Sequence, residues 1–557
     1  MAGSESETHA RSLATTHIFG DPPPSPCGTT VLSLSRTASC AQHSVSPCSL
    51  LLAADATPAG NPGLCNLHTT MASHPQGRSA HHRFAERSNG AWVHLPEVTG
   101  PPYLLDHLHD AHRARVAGCS KRWPGLFQWG WEDGAAEAGS ASSSSRLLDG
   151  EEVCRKMKDL NMLFIGDSLT LQLYDSFRAR LRQARYASGH AVAERTCKGN
   201  VVSGELPCEG FAPALCKTRT GPILCNGGVP PPQDPGLGSL YAACDNAATL
   251  FMAQAYRWVL DVHDFTASDS RGDQCASRVR SDPLSFGLVL IPIPHLMSMM
   301  INAAWTPHGP ARRDGRRGSQ DVALVLNQFA HVHAFVQKVT ECYAAAGIGS
   351  TPSAPGSGAF PEDYYLAARD VLRFWALDQG RWASTLRQVQ HNLSSPSITS
   401  VAGTSHSGIP LLEPINLKVF YRTSPASCGK FCTPPHGAPR RPLNASTLVS
   451  ATMGTKAAFS HQLVFALNDV SRAAFHAHGH SIIDVESMLG VRVDAYPASD
   501  DGDGDKLHFC QPGPPDWAMD VVLKRVTAEW RKAKGSGRAT SSVGLVRGTD
   551  KMKIAYR

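Results

Sequence analysis

The chain has 557 residues, 42% hydrophobic and 18% charged, with a formal net charge of +6, close to globular averages that exclude a wholly disordered or fibrous polymer. A charge this thinly spread lacks the concentrated basic face that nucleic-acid binding needs, so nucleic acid is not an expected partner. The length accommodates one large or several ordinary domains.

In chain order, residues 1–85 are rich in Ser, Thr, Pro, Ala and His without sustained periodicity and read as disordered. Folded sequence starts near "NGAWVHLPE". Five short apolar runs then read as strands: Met162–Ile165, Leu288–Ile291, Val322–Leu326, Leu417–Tyr421 and Ile482–Val485. Helix-like patterns alternate with them. Leu169, Leu173 and Phe177 recur at i, i+4 and i+8, one apolar stripe, and Gln462 to His478 reads as a helix closed by Gly479. Such alternation predicts an α/β fold with a mainly parallel sheet. "GSASSSSR" near Ser142 and "GSTPSAPGSG" near Pro352 read as flexible insertions, "YYLAARDVLRFW" as an amphipathic helix, and the basic stretch 531–557 as a solvated tail.

None of the 16 cysteines falls in a C-x-x-C pair, the nearest spacing being Cys428 with Cys432. The scatter, with Cys197, Cys208, Cys216 and Cys225 grouped together, fits disulfides in an oxidising compartment better than a metal centre. The N-x-[ST] triplets at Asn392 and Asn444 lean the same way, towards a secretory-pathway lumen. No apolar leader opens the chain, and "SLLLAA" near Leu51 is far shorter than the ~20 apolar residues of a spanning helix. Either a membrane anchor is not visible in this chain or the protein is soluble.

In "NMLFIGDSLTLQLYDSF" a strand, a Gly-containing turn and a helix would place Ser168 at the carboxyl edge of a parallel sheet, where α/β proteins put their ligand crevices. Unpaired N–H groups of the helix N-terminus would then face any anion forming beside the hydroxyl. The plainer possibility is that Asp167 or Ser168 simply caps the helix. A serine hydroxyl needs a base, and the base needs an acceptor that fixes its tautomer. "DGDGDKLHFCQPGPPDW" supplies both from one loop, His508 and Asp505. The alternating Asp501, Asp503 and Asp505 resemble a calcium loop, but Lys506 stands where that loop requires Gly and Pro512 where it requires Glu, so no metal is expected. Asn327, following Val322–Leu326, would reach the same edge and offer an oxyanion donor.

Other groups have duller readings. His476, His478 and His480 straddle a helix end and read as polar capping residues. His331 and His333 either line the pocket through adjacency to Asn327 or cover the start of the next helix. Arg492 and Asp494 read as an ion pair behind the catalytic loop.

Together these blocks resemble the PC-esterase or trichome birefringence-like family of the SGNH (GDSL) superfamily, over about Gly90 to Leu523. The matching blocks, in family order, are "GAWV" with "FQWGW", "FIGDSL", "DVALVLNQFAH", "VFYRTSPASCGKFC", "IIDVESMLGVRVDAYP" and "DKLHFCQPGPPDW". The resemblance implies an SGNH-like three-layer fold with a mainly parallel central sheet. It divides the chain into a disordered region 1–85, a small Cys- and Trp-containing subdomain 86–157, a catalytic domain 158–530 and the basic tail 531–557. It makes Ser168 the nucleophile, His508 the base and Asp505 its orienting carboxylate. Asn327 and the Ser168 N–H would form the oxyanion hole, with Gly204, Gly221 and Gly227 equal candidates for a further donor; Asp167, Arg492, Asp494 and His331 would support the pocket. Cys510 would be disulfide-bonded. No bound cofactor is implied. The partners would be an acetyl donor as co-substrate and a carbohydrate acceptor, in the Golgi lumen or at its membrane. Leu169 to Gln172 and Tyr496 depart from the family pattern, at positions where an acceptor sugar would sit. Three functions follow: O-acetyl transfer to a carbohydrate hydroxyl, carbohydrate or lipid ester hydrolysis by the same residues, or glycan binding without catalysis.

Overall fold

A computed structural model of the protein describes residues 90–98, 102–103, 126, 128–133, 146–157, 160–187, 250–254, 257–291, 293, 296–297, 300, 321–328, 332–348, 362–394, 414–425, 442, 456–497 and 507–540. Among these, five strands form one sheet: β3 (Asn161–Gly166), β4 (Leu250–Gln254), β7 (Asp321–Leu326), β8 (Asn416–Arg422) and β9 (Ser481–Ile483). Their spatial order is β4-β3-β7-β8-β9, and every neighbouring pair is parallel. β1 (Gly90–His94) and β2 (Trp129–Asp133) form a separate antiparallel pair, and β5 (Trp258–Val259) with β6 (Val289–Leu290) a short parallel one.

A strand buried on both faces must be apolar at every position, which is why these runs were legible as continuous hydrophobic segments. Their side chains divide by parity. Leu163, Ile165, Val322, Leu324, Leu326, Leu417, Val419 and Tyr421 enter one core with helices α4 (Val332–Ala345), α5 (Glu362–Ser394) and α6 (Lys456–Ala477). Met162, Phe164, Ala323, Val325 and Phe420 enter the other, with α1 (Gly150–Lys156), α2 (Ser168–Ala187), α7 (Glu486–Gly490) and α8 (Pro514–Thr540). The chain is therefore α/β, with helices packed on both faces of a parallel sheet.

Two expectations change. Leu288–Ile291 is not a strand of the main sheet: only Val289 and Leu290 pair, and they pair with β5. The place beside β3 belongs instead to β4, from "LFMAQ". Both are short apolar runs, and periodicity cannot tell which will find a neighbour in the main sheet. Helix α8 also continues to Thr540, so the first part of the stretch set apart as a basic tail is helical. Gly479 adopts φ +75° after α6, as a C′ glycine should. Residues 1–85 and both flexible insertions, apart from Arg146 at the end of the first, lie outside the described residues.

Helix α5 is 33 residues long, or about 50 Å, whereas a seven-residue strand spans about 23 Å. Its last part runs along the sheet: Gln390 Nε2 donates to the Leu417 carbonyl at 2.6 Å, and the Ile415 N–H donates to the Leu393 carbonyl at 2.8 Å. Its first half must overhang the carboxyl edge. There Phe374 meets Phe335 and Asp370 accepts from Tyr343, so α4 runs antiparallel to it. Residues 258–270 and α3 (Asp273–Ser281) pack on the same overhang. The Leu260 N–H donates to Asp378 and the Ser268 N–H to Asp370, and the Cys275–Cys342 disulfide joins α3 to α4.

Candidate active site

Numbered by order within the sheet, the strands lie second, first, third, fourth, fifth. The direction of winding therefore reverses between β3 and β7, and in open α/β sheets ligands bind outside the carboxyl ends at such a reversal. Ser168 follows β3 and Asn327 follows β7. The Asn327 N–H donates to the Ile165 carbonyl at 2.9 Å, extending the ladder by one rung.

The turn is built tightly. A Cβ on Gly166 would collide with Thr170 Oγ1 and lie 2.5 Å from the Asn327 carbonyl oxygen, so no larger residue fits there. Asp167 caps α2, its Oδ1 accepting from the N–H groups of Leu169 at 3.0 Å and Thr170 at 3.3 Å. The cap and the candidate nucleophile are thus adjacent residues with separate tasks. Because Asp167 satisfies the helix start, the Ser168 hydroxyl is left for another partner, His508: Nε2 lies 2.5 Å from Ser168 Oγ across 340 positions of sequence.

What carries His508 to that spot is a polar seam on α2. Ser168, Gln172, Ser176 and Arg180, spaced four apart, are all buried and flank the apolar stripe of Leu169, Leu173 and Phe177. Gln172 grips the residue after His508 at both ends of its peptide: Nε2 donates to the Phe509 carbonyl at 2.8 Å, and Oε1 accepts from the Phe509 N–H at 3.1 Å. Gln511 Nε2 donates to the Gln172 carbonyl at 2.6 Å. Ser176 bonds Asp516, and Arg180 pairs with Asp520. Burial raises the Asp516 carboxyl, while Arg180, Ser176, the Gly513 N–H and Tyr103 pull it back. On its other side the loop is held by the Cys510 N–H donating to the Ala495 carbonyl at 2.7 Å, and by Phe509 stacked on Tyr496 at 4.8 Å. Cys510 is disulfide-bonded.

Asn327 is buried, its carboxamide held between strands. Nδ2 donates to the Arg422 carbonyl at 2.7 Å, and Oδ1 accepts from Ser424 Oγ at 2.9 Å. A carboxamide has two N–H donors, and among the described residues Nδ2 makes only this one bond. Arg422, at the end of β8, is fully buried and donates to Thr170 Oγ1 at 2.8 Å and to the Thr423 carbonyl at 3.1 Å. Burial lowers its affinity for its proton, and the Asp167 carboxylate opposes that. Arg492 and Asp494 form a buried bidentate pair at 2.8 and 3.0 Å, with the guanidinium carbon 4.4 Å from the centre of the Trp92 ring. The pair stands just before Ala495, which anchors the His508 loop.

Asp505, His331, Gly204, Gly221 and Gly227 lie outside the described residues. His333 is exposed in the first turn of α4. The other histidines disperse: His476 ends α6, and His480 is buried with Nε2 2.8 Å from the Ala383 carbonyl. Among the described residues no group of His, Cys, Asp or Glu is arranged to hold a metal ion, and no helix is long and apolar enough to cross a membrane.

Sequence reading set Thr170 and Gln172 among positions where an acceptor sugar would sit and did not see them as supports of the Arg422 side chain and the His508 loop; it did not single out Arg422. The signal for Gln172 was its spacing: polar residues at 168, 172, 176 and 180 share a helix face beside an apolar one, a pattern that ordinarily marks the solvent side. No protein-family model matches the chain, and no curated protein matches it either, so the site rests on its own geometry.

Proposed function

We propose that the protein is an O-acetyltransferase that carries an acetyl group on Ser168 and delivers it to a carbohydrate hydroxyl. The observation that carries this reading is the 2.5 Å contact between His508 Nε2 and Ser168 Oγ at the reversal point of a parallel sheet. The resemblance to PC-esterase and trichome birefringence-like proteins, with their SGNH-like three-layer fold and small N-terminal subdomain, supplies the acetyl group and the sugar. The Cys275–Cys342 disulfide supports an oxidising lumen such as the Golgi.

In the first half-reaction the Ser168 proton passes to His508 Nε2 while Oγ attacks the acetyl carbonyl. Asn327 Nδ2 and the Ser168 N–H take up the negative charge, and losing one such donor costs about 3–4 kcal/mol of barrier. Collapse expels the donor's leaving group, which takes the proton from His508, and leaves acetyl-Ser168. In the second half the acceptor hydroxyl gives its proton to His508 and attacks the ester, and Ser168 Oγ recovers the proton as it leaves. Asp505 is assigned to His508 Nδ1, holding the tautomer that keeps Nε2 a base.

The test incubates the protein and its Ser168→Ala variant with an acetyl donor and a panel of cell-wall oligosaccharides, followed by mass spectrometry. Acetylated oligosaccharide from the wild type alone is expected. Donor hydrolysis without transfer would make the protein an esterase, and full activity in Ser168→Ala would overturn both.

A further inference from the structure

Immediately beyond β4 the chain places a cation that the chemistry above does not use. Gln254 is level with Gly166 in the β3–β4 register. Ser168 is two residues past one end of that rung and Arg257 three past the other, where the chain leaves the sheet for the overhanging layer. Arg257 is 91% buried, yet its Nε and Nη1 have no hydrogen-bond partner among the described residues. Desolvation lowers the guanidinium's affinity for its proton, with no carboxylate among the described residues to offset it.

Two backbone features keep it there. Arg257 has φ 60°, in the left-handed region that non-glycine residues seldom occupy. Opposite it, Gly287 has φ 73°, and a Cβ there would lie 2.5 Å from Arg257 Nη2 and 2.7 Å from Cζ, so the guanidinium rests against bare glycine. The Arg257 carbonyl is pinned by the Val289 N–H at 3.2 Å. An unpaired buried charge costs several kcal/mol, and here strain is added to it. A fold that needed only to fill this space would do better with Met or Leu. A planar guanidinium held this way matches an oxyanion, which it can grip through two parallel N–H donors.

We propose that Arg257 is the anion-binding residue of the site, taking an oxyanion, a carboxylate or a phosphate, carried by a ligand at the carboxyl edge beside Ser168. What the anion is attached to follows from the acyl-transfer reading, in which it selects an acidic over a neutral substrate. That an anion is bound does not depend on that reading.

The test measures binding of three probes by calorimetry: an oligosaccharide of glucuronic acid, its carboxyl-reduced neutral counterpart, and inorganic phosphate. Each is titrated into the wild type, Arg257→Gln and Ser168→Ala. The wild type and Ser168→Ala are expected to bind the acidic oligosaccharide at least tenfold more tightly than the neutral one, and Arg257→Gln to lose the difference. Arg257-dependent binding of phosphate but not of the acidic sugar would keep the oxyanion site and identify a phosphate-bearing ligand. Equal binding of every anion by wild type and Arg257→Gln, or no binding of any, would overturn the proposal. Thermal melting without ligand is the second readout. Arg257→Gln should melt at or above the wild-type temperature, and a fall of several degrees would make Arg257 a structural support and sink the idea. If Ser168 proves inert to a fluorophosphonate while anion selection survives, the acyl-transfer reading fails and the anion site stands.

Discussion

Gln172 holds both the N–H and the C=O of Phe509, the residue after His508, from a position one helical turn beyond Ser168. The separation of the His508 imidazole from the Ser168 hydroxyl is therefore set by a carboxamide on the same helix as Ser168. Replacing it should leave both reacting groups present but poorly aligned. Gln172→Ala is expected to slow labelling of Ser168 by a fluorophosphonate about 10- to 100-fold, while costing about 1–3 kcal/mol of stability. Labelling time courses beside thermal melts separate the two effects, and wild-type labelling would remove Gln172 from any positioning role.

Gly166→Ala probes the turn itself. The added methyl meets Thr170 Oγ1 and the Asn327 carbonyl, both within the packed rim. Neither can retreat, because Thr170 accepts from the buried Arg422 and Asn327 is bonded on both ends of its carboxamide. A loss of about 1–3 kcal/mol is expected from overpacking, with activity falling more than stability. Chemical denaturation and labelling on the same preparation would measure both, and a variant with wild-type labelling would show that the turn tolerates a shift.

The overhanging layer depends on its cross-link. Cys275 and Cys342 are 67 residues apart, a loop whose closure in the unfolded chain corresponds to about 4 kcal/mol. Cys275→Ser should lower the denaturation midpoint accordingly, and reductant should do the same to the wild type but add nothing to the variant at this pair. A variant as stable as the wild type would mean that α3 and α4 hold together by packing alone.

His480 makes stability depend on pH. Burial lowers its pKa from 6.5 to about 4, the neutral ring facing the Ala383 carbonyl. Between those values the unfolded chain binds the extra proton, so this contribution is full above pH 6.5 and is lost as pH falls towards 4, by up to about 3 kcal/mol. His480→Gln should flatten that part of the profile when urea midpoints are compared at pH 7 and pH 4.5. An unchanged slope would assign the acid sensitivity to other groups.

Much of the main sheet was readable because its strands are buried on both faces, leaving runs such as Met162–Ile165 with no polar residue to confuse them. β4 was not readable, since a short apolar run carries no mark of which neighbour it will pair with. At the site, Ser168 and His508 stood out because their chemistry is scarce and their flanking motifs are dense. Gln172 did not, because a lone glutamine on a helix is ordinarily solvated. Its burial depends on a segment 337 positions away. Arg257 was likewise hidden: φ and the glycine opposite are facts of the folded backbone, not of residue type.

The span of 340 positions between Ser168 and His508 bears on how the protein is made. During synthesis α2 emerges long before His508, and its seam of serine, glutamine and arginine lacks its partners at Phe509, Asp516 and Asp520 until the segment carrying them leaves the ribosome. A chain halted anywhere before residue 508 would carry the Ser168 hydroxyl without its imidazole partner. On the acyl-transfer reading, reactivity would arrive late, once the segment carrying His508 docks against α2.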